Sequence, residues 1–204
     1  MAAAVVLAVL VTASLVWWLG RTDPPAAVVP EPAETTSSTP TPAPAASPDR
    51  CAGQASKGFV PTAISVDGVV RGAEVRDLPR DVNGVVGVPP VADKEVFAWD
   101  RGGVEPGSRK GHVLLNTHTW PDGSAMGNRL LEELQVGDGL TLSGAGEKAC
   151  YEVSRRVEVR EEDGYPGWSA QDGPARVVIV VCSGERLGPG RWTHRTLWFA
   201  TPVR

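Results

Sequence analysis

Hydrophobic and polar positions change rhythm twice along the 204-residue chain. From Ala2 to Gly20 no residue is charged, and the only polar side chains are Thr12 and Ser14. At about 1.5 Å per residue, such a run crosses the roughly 30 Å hydrocarbon layer as a helix. Trp17 and Trp18 fall where an interfacial aromatic belt would sit. A cleaved signal peptide competes with this reading, but the apolar run is longer than the usual signal core and no small-x-small site follows it. The expectation is a transmembrane anchor over residues 1–20. Its orientation is less well marked, because Arg21 follows the run and no Lys or Arg precedes it, a local pattern that argues against an outside C-terminus.

Periodicity then vanishes. Between Thr22 and Arg50, 22 of 29 residues are Pro, Ala, Ser or Thr, a composition that buries too little apolar surface to fold. Residues 21–50 therefore read as an extended spacer. From Cys51 onward, residues 51–204 carry 22 of the 23 glycines, and the hydrophobic rhythm returns in short pieces. Ala63 to Val66, Asp67-Gly68 and Val69-Val70 predict a hairpin. Gly84 to Val88 runs into Pro89-Pro90, and Glu95 to Trp99 alternates weakly. His112 to His118 is an apolar run suited to a central strand. Asn128 to Leu134 is the one good short helix, with Asn128 as a possible N-cap and Gly137-Asp138 beyond its end. Tyr151, Val153, Val157 and Val159 alternate with polar neighbours, which predicts a half-buried strand. Val177 to Cys182 is almost wholly apolar, implying burial on both faces. Trp192 to Phe199 alternates in a final strand. Seven or eight short strands with one short helix predict an all-β domain, a closed barrel or a sandwich.

Charge narrows the function. Of 20 basic and 24 acidic residues, two and four precede Cys51, leaving 18 against 20 in the folded region. A nucleic-acid footprint needs a clustered basic surplus, so that class is excluded. The acidic run Glu161-Glu162-Asp163-Gly164 lacks a regular ligand spacing and reads as a solvated loop, not a calcium site. No metal and no cofactor is called for.

Three cysteines cannot all pair within one chain. Cys51–Cys150 is the preferred disulfide, pinning the domain's first residues to the barrel; the alternative is that all three are unpaired. Cys182 is then a free thiol where a strand gives way to Ser183-Gly184. A buried free cysteine is more often a small hydrophobe than a nucleophile, so its company decides. A nucleophilic thiol needs a base or charge partner and, for acyl transfer, a donor for the developing oxyanion. His118 closes one strand and Arg195 lies on the strand after Cys182. Of the other histidines, His112 sits six residues earlier on an extended strand, about 20 Å from His118. His194 should face the side opposite Arg195.

The order His118, Cys182, Arg195, with Val178-Ile179-Val180-Val181 before the cysteine and a final strand Trp192 to Ala200, resembles the sortases. The helix followed by Val136-Gly137-Asp138 also looks like that family's L-x-x-G-D segment. Val181 and Ile179 stand where the family carries Thr and Leu. The resemblance covers about residues 58–204 and implies a closed eight-stranded sortase-like β-barrel with one or two short helices, preceded by the N-terminal transmembrane helix. Short connections and Gly/Pro-rich stretches resemble classes E and F, leaning to F.

It also implies a cysteine transpeptidase. Cys182 would attack the Thr carbonyl of an L-P-x-T-G-like signal at the C-terminus of secreted proteins. His118 would shuttle the proton, and Arg195 would hold the oxyanion. The acceptor would be an amine on a peptidoglycan precursor or a pilin, and the catalytic domain would be extracellular on a single-pass anchor. L,D-transpeptidases, whose Cys follows an S-H-G run, and papain-like wall hydrolases, with Cys before His, fit less well. The non-enzymatic alternative is a membrane-tethered barrel binding a wall or protein ligand.

Overall fold

The computed structural model describes residues 51–203, so the expected anchor and spacer lie outside the described residues. Eight strands are present among the described residues: β1 (Ala63–Val66), β2 (Val70–Leu78), β3 (Phe97–Asp100), β4 (His112–Thr117), β5 (Gly139–Gly144), β6 (Glu147–Arg160), β7 (Arg176–Gly188) and β8 (Arg191–Pro202). One helix, α1 (Met126–Glu133), separates β4 from β5. The strands close in the order β1-β2-β3-β4-β7-β8-β6-β5. The pairs β2/β3 and β4/β7 are parallel and the others antiparallel. Closure leaves no sheet edge to protect, which suits so many short strands. Among the described residues, no helix is long and apolar enough to cross a membrane.

The hairpin expected at Asp67-Gly68 forms, with Gly68 at φ 75°, a conformation that costs glycine little. Its second strand runs on to Leu78, well past Val70. Two other readings are corrected. Gly84 to Val88 forms no strand; it lies in the connection between the parallel strands β2 and β3, and Val86 packs on the outside of the barrel. Asn128 is not the N-cap, a position held by Ala125. Its side chain reaches back instead: Oδ1 accepts from Trp120 N at 2.8 Å and Nδ2 donates to Trp120 O at 3.0 Å.

Strand β7 shows why a near-continuous apolar run was needed. Val177, Ile179 and Val181 join the barrel interior with Phe97, Leu142 and Trp198. Val178 and Val180 belong to a second cluster with Leu114, Leu197 and Phe199, which Val86, Val157, Val159 and Tyr165 cover. A strand buried on both faces has no polar side to show. Cys51 and Cys150 form a disulfide, Cα atoms 5.8 Å apart.

Candidate active site

Alternation along the strands brings the three expected residues together. On β7, Val178 and Val180 point outward, so Cys182 follows them onto the outer face; on β8, Leu197 and Phe199 do the same, and Arg195 precedes them. The antiparallel register sets Cys182 opposite Arg195. The parallel register of β4 on β7 pairs Asn116 with Val180, and two residues further on it brings His118 to the level of Cys182. All three line one cavity of about 140 Å³, with Val86, Val88, Asn116 and Trp168 among its other walls. A wider groove of about 580 Å³ adjoins it, sharing Val86, Val88, Trp168, Val180 and Arg195 and adding Tyr165, Glu161 and Arg80.

Cys182 is half-buried and free. Burial pushes its thiol above the ordinary cysteine value, the Arg195 guanidinium opposes that shift, and the Glu161 carboxylate adds to it. Burial thus favours the protonated form of this side chain. Arg195 donates through Nη1 to His194 O at 2.9 Å and to Trp192 O at 3.3 Å, and its Nη2 lies 3.5 Å from Glu161. Five N–H groups on a guanidinium leave Nε–H and one Nη2–H for a ligand. His118 donates from Nε2 to Pro89 O at 2.7 Å and meets the Trp120 ring edge-on, centroids 6.3 Å apart.

Sequence reasoning missed the residues that hold this geometry. Thr119 Oγ1 donates to the Cys182 carbonyl at 2.7 Å, tying the turn after β4 to the strand that carries Cys182. Gly127 N donates to His118 O at 2.7 Å, and a Cβ at position 127 would collide with that oxygen and with Thr119 Oγ1. The structure leaves the other two histidines outside the cluster. His112 is buried at the far end of β4, with Nδ1 3.3 Å from Trp168 O and its ring edge-on to Phe199. His194 pairs with Ser183 across the ladder, and its Nδ1 lies 2.8 Å from Thr193 Oγ1. In the acidic loop Glu162 pairs with Arg160 and Glu161 with Arg195; among the described residues no group of three His, Cys, Asp or Glu is placed to hold a metal.

No family model matches the chain, and no curated protein matches it in sequence. Solved structures do match in fold. Sortase A from Corynebacterium diphtheriae superposes with a TM-score of 0.54 at 17% identity, over 72% of this chain and 62% of that one. The barrel has the sortase fold. Sortase C-1 from Actinomyces oris gives 0.51 at 22% identity, covering 70% of this chain and 73% of that one. Sortase A from Listeria monocytogenes gives 0.50 at 18%, covering 70% and 86%. This chain thus spans less than two thirds of the length of the Corynebacterium sortase and more of the other two. At these identities the sortase-like likeness concerns the path of the chain, and the chemistry has to be argued from the side chains.

Proposed function

We propose that the protein is a membrane-anchored, sortase-type cysteine transpeptidase that cleaves an L-P-x-T-G-like signal and joins the acyl fragment to an amine. One observation carries the reading: a free thiol, an imidazole and a guanidinium from three adjacent strands share one cavity on one face of the sheet. The Cys182 proton passes to His118 as Sγ attacks the Thr carbonyl carbon, and the carbonyl electrons move onto oxygen, where the free N–H groups of Arg195 receive the charge. Collapse breaks the Thr–Gly C–N bond; the imidazolium protonates the leaving amine, and a thioester remains on Cys182. An incoming amine then attacks it, gives its proton to His118 and regenerates the thiol. An imidazole whose proton affinity lies near neutral pH serves as base and then as acid.

Glu161 occupies one Nη2–H of Arg195 at 3.5 Å, so the oxyanion would be received by Nε–H and the second Nη2–H. The anchor over 1–20, the spacer over 21–50, an extracellular catalytic domain, and wall or pilin amines as acceptors complete the proposal and rest on the sequence. So does the lean to class E or F; the three similar structures named above are sortases A and C. The test is cleavage of a fluorogenic L-P-x-T-G-type peptide by the full chain, with an added amine captured in the product. Cys182→Ala, His118→Ala and Arg195→Ala should each abolish it; full activity in Cys182→Ala would overturn the assignment.

A further inference from the structure

The connection between β2 and β3 lies across the outer face of β4 as a strap, held by Asn116 on β4 and by His118 just past its end. Asn116 Nδ2 donates to Gly87 O at 2.8 Å, and His118 Nε2 donates to Pro89 O at 2.7 Å. Both pairs advance by two residues, so the strap follows the strand's own period. Its approach is close: a Cβ at Gly87 would lie 2.7 Å from Leu78 Cβ and 2.9 Å from Pro79 O. The strap is also anchored upstream. Asp81 Oδ1 accepts from Asn83 N at 2.9 Å and Val85 N at 2.8 Å, and Arg80 grips the fully buried Asp100. Pro90 confines Pro89 to extended backbone, which limits how far its carbonyl can swing.

A carbonyl oxygen can only accept, so the proton on this contact belongs to Nε2. Among the described residues the His118 ring has no second hydrogen-bond partner, which leaves Nδ1 with its lone pair free. We infer that the Pro89 carbonyl fixes His118 as the Nε2–H tautomer, that Nδ1 is the atom carrying the proton to and from Cys182, and that Asn116 is a positioning residue acting on His118 through the strap. This rests on the reading of His118 as proton carrier. A neutral acceptor suits that task, because Nε2–H is present in both the imidazole and the imidazolium, and the ring keeps one orientation through both half-reactions.

The tautomer can be read without substrate. In the full ¹⁵N-labelled chain in detergent micelles, a long-range ¹H–¹⁵N spectrum with the ring neutral should show His118 Nδ1 unprotonated and Nε2 protonated, the signals assigned by their loss in His118→Ala. Asn116→Leu keeps the side-chain volume and removes the donor, and Asn116→Ala removes both. In each, a second tautomer should appear and kcat should fall by about 10- to 100-fold with KM within about twofold. A wild-type ring protonated at Nδ1, or an unchanged tautomer and unchanged kcat in both Asn116 variants, would overturn the inference. A wild-type chain that carries the Nε2–H tautomer but cleaves no peptide would count against the transpeptidase reading and leave the ring assignment standing.

Discussion

The barrel's two ends are secured by different chemistry. Where β6 and β7 begin and β8 finishes, the disulfide Cys51–Cys150 fixes the first described residues to the sheet. Around it Ala55 N donates to Lys148 O at 2.8 Å, Gln54 Nε2 to Val203 O at 2.9 Å, and Val203 N to Cys150 O at 3.0 Å. The register puts Cys182 at the other end, five residues along β7 from Val177, which pairs with Ala200 near the end of β8, or about 17 Å of extended strand. There the ties are non-covalent: Thr119 to the Cys182 carbonyl, Gly127 to the His118 carbonyl, Asn128 to the N–H and C=O of Trp120, and the Arg195–Glu161 ion pair. Covalent closure constrains the unfolded chain and can sit anywhere the fold allows. Under the proposed function this end would admit a peptide and release two products, and contacts that break and reform, each worth about 1 kcal/mol net, suit that task. The covalent tie thus lies at the end away from the candidate site.

Separating the two ends by mutation gives the largest expected effect. Cys182→Ala should lower peptide cleavage by a factor of about 10⁴ or more while leaving the melting temperature nearly unchanged. Cys51→Ala should do the reverse. Opening a loop with a sequence separation of 99 removes up to about 4.7 kcal/mol in the chain-entropy model, with activity per folded molecule retained. Denaturant melts alongside turnover measurements distinguish the two outcomes. Equal loss of stability in both variants would contradict the division of labour.

Next in size is Gly127→Ala. The added Cβ has no room beside the His118 carbonyl, so the first turn of α1 must shift and carry the imidazole with it. Displacement of a catalytic group by about 1 Å costs roughly 10²-fold in rate. The packing penalty should be about 1–3 kcal/mol. The check is kcat against melting temperature: a rate loss larger than the destabilised fraction can explain marks a displaced His118, and stability loss alone would mean the helix adapts without moving it.

This helix terminus also shows where sequence reasoning stops. Alternation made β6 and β8 legible and the unbroken apolar run marked β7 as buried on both faces, because those signals repeat along one element. The order of His118, Cys182 and Arg195 was legible because chain order survives folding and topology then sets the three side by side. Asn128 was misread as a cap because its type suits one; its actual partner, the Trp120 peptide, lies eight residues back, and no local rule points there. The valines at 85, 86 and 88 have strand-like composition, yet their backbone pairs with no strand, and Val86 covers the outer cluster instead. Propensity reports what a residue tolerates, while tertiary contacts decide what it does.

The smallest effect concerns the electrostatics of the site end. Burial raises the Cys182 thiol, Arg195 partly offsets this, and Glu161 reinforces it. The folded protein therefore favours the neutral thiol: its burial contributes stability that is complete below the unfolded thiol's pKa and is lost as pH rises through the higher folded value. Alkylation by iodoacetamide, which consumes thiolate, should accordingly be slow at neutral pH and rise with an inflection above the ordinary cysteine value. Removing the guanidinium in Arg195→Gln should move that inflection up. Glu161→Gln should move it down, because it deletes a nearby negative charge and also releases Arg195 Nη2 from its 3.5 Å contact. Glu161 is more than half exposed, so solvent screens it and the rate should change by only about two- to threefold. The signs are the test. A downward shift in Arg195→Gln would mean that the guanidinium does not act on the thiol, and the register that sets Cys182 opposite Arg195 would then be structural only.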